Sequence, residues 1–330
     1  IVEKIAKMIA DGEIDAKYVE VESEHSALAT VFASELAGVR SYTATSSHGL
    51  LYMHEMLHWA SGQRLPLVMS VVNRAIGPPW NIWADQTDTM NQKDTGWLQT
   101  YCESNQEALD TILMGYKIAE NRDVMLPLMS MEDAFILSHT SEPVTVHSQE
   151  LVDEYLPDLD LSFKIDLKNP MGYGSYDTPD GSFMELKKDM IDYGGLIEKY
   201  RMDDAEYAII ASGTVASTGK YVVNKLRSEG KKFGLIRIRF FRPFPYEDIY
   251  DAVKDLKAVG IIDRSVNFGV AGSTYMETVS GLYGKTDVPV SSFVVGVGGR
   301  DVKVEDIEMI AGKIEKKDRG YHWINLKEVA

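Results

Sequence analysis

Three short polar clusters carry residue types able to do chemistry, and each directly follows an apolar run. They are Glu22-Ser23-Glu24-His25, Thr45-Ser46-Ser47-His48-Gly49 and Asn73-Arg74. A carboxylate such as Glu24 can hold or transfer a proton. The guanidinium of Arg74 is a planar fork that matches a carboxylate or a phosphate. Ser, Glu and Asn at a helix start also serve as caps, so a single cluster says little. Three of them at the carboxyl ends of strands in one parallel sheet would face a common crevice, where such sheets bind ligands.

The hydropathy pattern supplies the elements that would align those clusters. Strands are predicted at Tyr18–Glu22, Ser41–Thr45 and Pro66–Val72, and helices at Glu24–Gly38 and Ser47–Gly62. After a polar, Trp-rich loop come a helix at Asn105–Asn121 and strands at Val124–Ser130 and Pro143–Thr145. Residues 148–204 break the rhythm with acids (Asp153, Glu154, Asp158, Asp160), Pro157 and dense turn-formers around 169–174 and 179–181. A helical pattern runs over Met184–Tyr200 inside this connector. A second unit follows, with strands expected at Tyr207–Ala211, Phe233–Ile238, Val259–Asp263 and Val290–Val295. Its helices are expected at Val215–Glu229, Tyr246–Leu256, Met276–Tyr283 and Val304–Ile314. The pattern predicts an α/β chain with two parallel-sheet domains, 1–147 and 205–330, and a linker over 148–204.

Composition narrows the function. The 330 residues suit about two domains of roughly 150 each. With 34 basic and 50 acidic residues the net charge is −16, which repels nucleic acid over most of the surface. The longest apolar run, Leu65 to Val72, is broken by Pro66 and Ser70, so no membrane span is expected. No basic-then-apolar leader opens the chain, so the cytoplasm is the expected address. An amphipathic pattern already runs at Ile1, Val2, Ile5, Met8 and Ile9, which predicts a start inside a longer protein. The single cysteine, Cys102, follows Trp97, Leu98 and Tyr101 and reads as structural; one thiol cannot hold an iron–sulfur cluster.

Other motifs compete with the three clusters. His54-Glu55-Met56-Leu57-His58 matches the zinc-protease pattern, two His one helical turn apart with a general-base Glu. No His follows in Trp59–Arg64 and no Glu until Glu103, so a third ligand is lacking and the two His read as partly buried mid-helix residues. Ser212-Gly213-Thr214 and Gly296-Val-Gly-Gly-Arg300 each follow a strand and read as anion nests or plain caps.

Taken together, these residues resemble the alpha subunit of the pyruvate:ferredoxin oxidoreductases (pyruvate synthases), in the 2-oxoacid:ferredoxin oxidoreductase family. The resemblance runs along nearly the whole chain. It is carried by Val21-Glu-Ser-Glu-His25, Thr45-Ser-Ser-His-Gly-Leu-Leu51 and Asn73-Arg-Ala-Ile-Gly-Pro-Pro-Trp-Asn81. Gln86-Thr-Asp-Thr-Met90, Asp94-Thr-Gly-Trp97, Ile238-Arg-Phe-Phe-Arg-Pro-Phe-Pro245 and Gly298-Gly-Arg-Asp301 complete it. A Tyr-Pro-Ile-Thr-Pro segment that the family carries before its first helix is not in this chain.

The resemblance implies a thiamine-diphosphate enzyme, with a pyrimidine-binding domain followed by a transketolase-C-terminal-like domain. It implies Glu24 as the catalytic acid on the thiamine pyrimidine, Ser47, His48 and Gly49 beside the cofactor, and Arg74 as catalytic and substrate-binding. A carboxylate bonded to the pyrimidine nitrogen favours the tautomer whose amino nitrogen takes the proton from the reactive carbon. The apolar loop Ala75–Trp80 points to a small monocarboxylic 2-oxo acid such as pyruvate; the resemblance implies coenzyme A as co-substrate and ferredoxin as electron acceptor. No metal-ligand set stands out in this chain. The resemblance implies that Mg²⁺, the cofactor's diphosphate and [4Fe-4S] clusters lie on beta, gamma and delta partner subunits, without which this chain is expected to be inactive. The beta subunit of a lipoamide-linked 2-oxo acid dehydrogenase shares the two-domain plan and stays open as an alternative. So do a zinc hydrolase through His54 and His58 and a non-catalytic assembly module.

Overall fold

The structure, a computed structural model, describes residues 2–77, 81–161 and 194–326. The turn-rich stretch at 169–181, most of the helical pattern at 184–200 and residues 78–80 of the loop after Arg74 lie outside the described residues. Val68, Met69 and Val71 have no exposed surface, as expected for a strand covered on both faces. That strand, β2 (Val68–Asn73), pairs in parallel with β1 (Tyr42–Thr45) on one side and β4 (Leu128–Asp133) on the other. The first sheet runs β1-β2-β4-β3-β8, with β3 (Leu98–Tyr101) parallel to β4. The register sets Asn73 beside Asp133, so the two strands end level.

Helices α1 (Val2–Ala10), α2 (Glu24–Leu36), α3 (Ser47–Tyr52), α4 (His54–Gly62), α5 (Thr87–Met90), α6 (Asn105–Ala119) and α7 (Gln149–Tyr155) complete the first part. Ser23 caps α2 by accepting from the Ser26 amide, and Ser104 caps α6 by accepting from Glu107. The second sheet runs β11-β10-β9-β6-β7-β5. Its strands are β5 (Ile197–Tyr200), β6 (Tyr207–Ser212), β7 (Phe233–Ile238), β9 (Ala258–Asp263), β10 (Val290–Val294) and β11 (Tyr321–Trp323). Only the β5–β7 pairing there is antiparallel among the described residues. Around it lie α8 (Gly213–Ser228), α9 (Tyr246–Val253), α10 (Ser273–Leu282) and α11 (Val304–Glu315). The expected two-sheet α/β architecture is present.

The two sheets are tied by chain and by charge. Just after β7, the short strand β8 (Phe240–Arg242) leaves the second sheet and pairs antiparallel with β3 of the first. Buried Arg237 of β7 is bonded to Glu107 of α6 and lies 3.2 Å from Glu103 and 3.3 Å from Glu198. Lys220 of α8 joins the same acids at 2.7 and 2.8 Å.

Several elements differ from the sequence pattern. Tyr18–Glu22 is exposed and unpaired, because no described strand lies beside it to complete a ladder. Pro143–Thr145 is not a strand either: the Gln106 carboxamide takes both polar groups of Thr145, at 2.6 and 3.2 Å, in place of a neighbouring strand. The predicted helix over Ser47–Gly62 breaks at Met53, which is buried, and the new start lets the His54 ring reach the Gln92 carboxamide at 2.6 Å. Leu98–Tyr101 is a wholly buried strand whose Gln99 and Thr100 disguise it as an amphipathic stretch. Strand β5 lies within the segment read as connector and helical pattern, where it closes one edge of the second sheet.

Glu35, in the last turn of α2, is fully buried with one oxygen accepting from the Ser41 amide at 3.0 Å and the other unpartnered. Burial, then the neighbouring Glu120, pushes its carboxyl up to about 8. The folded protein therefore holds this proton near neutrality, and the stability it lends is complete below the ordinary carboxylate range and lost as pH rises through about 8. Glu35→Gln keeps an acceptor for Ser41 and cannot ionise. Its melting temperature is expected to match the wild type's near pH 4, to pull ahead as pH rises, and to exceed it at pH 9 by an amount on the order of 5 °C. Equal melting curves at both pH values would refute this account of Glu35.

Candidate functional site

The carboxyl ends of β1 and β2 meet around one buried acid. Asp88, in the first turn of α5, has no exposed surface, and its two oxygens accept four N–H donors. Oδ1 takes the Asn73 side-chain amide and the Thr89 backbone amide, each at 2.8 Å; Oδ2 takes the Ser47 and Arg74 amides, each at 3.0 Å. Burial pushes the carboxyl up to about 6, against the pull of those donors. The start of α3 and the loop after β2 thus converge on a single oxygen.

Each of the sequence-selected residues can now be placed. Ser47 is buried with φ 50°, a left-handed conformation that costs a non-glycine residue on the order of 1–3 kcal/mol. It is held there by its amide bond to Asp88 and by its hydroxyl donating to the Ala75 carbonyl at 2.7 Å. The exposed His48 ring accepts from the Gly77 amide through Nε2 at 3.2 Å and faces the Ser47 hydroxyl through Nδ1 at 3.2 Å. Both residues therefore pin the 74–77 loop onto α3. Arg74 is half-buried, its Nε buried and unpartnered and its guanidinium paired with no carboxylate among the described residues.

Glu24 opens α2 and is exposed, although the strand expected before it is absent. Its carboxylate lies against the first turn of α3. A Cβ placed on Gly49 would sit 2.8 Å from Glu24 Cγ, 3.0 Å from Glu24 Oε1 and 2.7 Å from Thr45 Oγ1. Only glycine at position 49 permits that approach. The structure therefore brings Glu24, Thr45 and Gly49 together on one side of the α3 turn, and Ser47, His48 and Arg74 together on the other. His25 faces elsewhere, with Nε2 3.6 Å from Glu55.

Two of the other motifs close the domain interface. The α8 N-terminus at Ser212-Gly213-Thr214 is already filled by Asp133, which accepts from the Thr214 amide at 3.0 Å and hydroxyl at 2.5 Å and lies 3.2 Å from Arg264. The glycine turn at 296–299 gives the Gly298 amide to Asp85 at 2.8 Å. Both nests hold the chain's own carboxylates. Asp85, Asp88 and Asp133 were not selected from the sequence. An acid that directly ends an apolar strand, as Asp133 ends Leu128-Met-Ser-Met-Glu-Asp, was the available signal for one of them.

His54 and His58 are exposed on α4, with rings 4.9 Å apart, not partly buried mid-helix as the pattern suggested, because the helix restarts at His54. Among the described residues no three His, Cys, Asp or Glu side chains are grouped to hold a metal ion. Cys102 is buried between the Thr111 and Ser130 hydroxyls, and burial pushes its thiol up to about 12, far from a reactive thiolate.

Comparison with known proteins bears on the same residues. Residues 1–200 match the family model described as "Pyruvate flavodoxin/ferredoxin oxidoreductase, thiamine diP-bdg", and residues 205–307 match "Pyruvate:ferredoxin oxidoreductase core domain II". The chain is 43% identical to the pyruvate synthase subunit PorA of Methanothermobacter thermautotrophicus, over 99% of this chain and 90% of that protein. It is 42% identical to the ketoisovalerate oxidoreductase subunit VorA of Pyrococcus abyssi, with the same coverage of each. Among solved structures, a 2-oxoglutarate:ferredoxin oxidoreductase from Magnetococcus marinus superposes with a TM-score of 0.68 at 18% identity, a likeness of fold. That alignment covers 96% of this chain and 60% of that one.

Proposed function

The chain belongs to the pyruvate flavodoxin/ferredoxin oxidoreductase family, and from that premise we propose that it is the alpha subunit of an enzyme acting on pyruvate. It is a subunit of a 2-oxoacid:ferredoxin oxidoreductase. The proposed reaction converts pyruvate, coenzyme A and oxidised ferredoxin to acetyl-CoA, CO₂ and reduced ferredoxin, and runs in either direction. PorA and VorA relatives are almost equally similar, at 43% and 42%; the site favours a monocarboxylic 2-oxo acid, of which pyruvate is the proposed member. Arg74 is followed by the uncharged Ala75-Ile76-Gly77, which offers no second cation to a dicarboxylate.

The observation that carries this reading is a half-buried guanidinium with an unpartnered Nε, held by its own backbone to the α3 turn that Glu24 borders. A buried, unpaired donor on a cation is costly unless a ligand meets it, and a 2-oxo acid carboxylate has the right charge and shape. The residues also fit the ring end of thiamine diphosphate: an exposed carboxylate stands over a glycine where a side chain would collide with it. Thiamine diphosphate supplies, when bound, a nucleophilic carbon and an electron sink for decarboxylation. Glu24 would share a proton with a basic ring nitrogen of the bound cofactor, and its close approach to Gly49 sets the carboxylate beside the first turn of α3. Ser47, His48 and Gly49 shape the wall between acid and guanidinium.

The diphosphate end, its Mg²⁺ and the iron–sulfur clusters are assigned to partner subunits, proposed as beta, gamma and delta chains in a cytoplasmic assembly. No described helix is long and apolar enough to cross a membrane. In the assembled enzyme, Arg74→Ala is expected to raise KM for the 2-oxo acid roughly 10–100-fold, the loss of a charge-assisted bond of about 1.5–3 kcal/mol. Cofactor affinity and KM for coenzyme A should stay at wild-type values. An unchanged KM for the 2-oxo acid would end the carboxylate role of Arg74.

A further inference from the structure

We propose that Asp88 is a positioning residue for the reaction: its carboxylate fixes the Arg74 guanidinium relative to the α3 turn by gripping the Ser47 and Arg74 amides with one oxygen. The proposal rests on the reading of Arg74 given above. The tie is unusual in what it joins. The α3 start follows β1, the Arg74 loop follows β2, and Asp88 itself lies beyond the long loop in α5. No ladder or helix bond serves the Ser47 and Arg74 amides, so Asp88 is what satisfies both.

The chemistry demands a carboxylate there. Four N–H donors converge on its two oxygens at 2.8–3.0 Å. An asparagine has one such oxygen, and its NH₂ would face two donors head-on, so one side of the grip is lost. If the Oδ2 side lets go, Arg74 loses its backbone anchor and Ser47 loses one of the two bonds that hold its left-handed backbone. The remaining ties, Ser47 to the Ala75 carbonyl, the Ala75 amide to the Trp83 carbonyl and His48 to Gly77, hold the loop further along but not Arg74 itself. Asn73 orients the acid from the other side: its amide group donates to Asp88 Oδ1 and to the Thr89 hydroxyl, each at 2.8 Å.

The test uses the assembled enzyme with its partner subunits. Asp88→Asn is expected to raise KM for the 2-oxo acid ~10-fold or more while KM for coenzyme A stays within ~2-fold. Placed in the Arg74→Ala background it should add less than ~2-fold, since both changes remove one contact. Amide hydrogen exchange in the 73–77 segment, read by mass spectrometry, should quicken ~10-fold. Should Asp88→Asn fail to assemble, Asn73→Ala removes a single donor and is expected to give the same split at ~3-fold. Lowered kcat or melting temperature with an unaltered KM for the 2-oxo acid, or full additivity with Arg74→Ala, overturns the proposal alone. An Arg74→Ala enzyme with unaltered KM overturns the reading of Arg74 and this proposal with it.

Discussion

Glu24→Gln is expected to leave the assembled enzyme intact and to lower its turnover by roughly 10²–10⁴-fold, the usual cost of losing a positioned proton-transfer group. The substitution is nearly isosteric, so the close approach to Gly49 survives. What changes is the ability to hold a proton, because a carboxamide neither ionises nor takes up a proton near neutral pH. Structural damage is not expected. Glu24 is exposed at the first turn of α2, forms no ion pair among the described residues, and leaves the helix cap to Ser23. The melting temperature and the set of co-purifying subunits should therefore match wild type while anaerobic 2-oxo acid oxidation nearly vanishes. Full activity in this variant would remove Glu24 from the chemistry and leave the crevice without its acid.

The distribution of what was legible along the chain has a physical cause. Buried parallel strands such as β2 and β6 write themselves as largely apolar runs, so the two-sheet plan and the crevice at the strand ends could be read directly. Arg74 stood out because it directly follows such a run; Ser47, His48 and Gly49 follow the short alternating strand β1, and Glu24 was singled out behind Tyr18–Glu22, a strand the fold does not contain. Strand β3 did not, since Gln99 donates to the Thr89 carbonyl at 2.9 Å from a buried position and looks like a surface residue in one dimension. Strand β8 is three residues long and belongs to a sheet more than a hundred residues upstream, a pairing that local periodicity does not encode. The acids at 85, 88 and 133 escaped for the same reason. Their donors are backbone amides in distant segments: Gly298 for Asp85, Ser47 for Asp88 and Thr214 for Asp133. Asp85 and Asp133 fill the two turns, at 296–299 and 212–214, that read alone as anion nests or plain caps.

That substitution of internal for external anions sets the largest stability effect expected in the molecule. Asp133→Ala is expected to destabilise by about 3–5 kcal/mol, the range for removing one member of a buried ion pair. Asp133 and Arg264 are almost wholly buried, and the Arg264 Nε and Nη1 already lack hydrogen-bond acceptors. Without the carboxylate, the guanidinium keeps only its Nη2 bond to the Ala84 carbonyl at 2.9 Å. The Thr214 amide and hydroxyl lose their acceptor at the α8 N-terminus, where Ser212 supplies no side-chain cap. Because Asp133 ends β4 of the first sheet while Thr214 and Arg264 belong to the second, the loss falls on the contact between the two units. The melting temperature should fall by an amount on the order of 10 °C. Asp133→Asn, which keeps an oxygen for Thr214 and gives up only the charge, should fall less. A single transition within ~2 °C of wild type for Asp133→Ala would show that the interface is held elsewhere, with the Arg237 cluster and the β3–β8 ladder as the remaining ties.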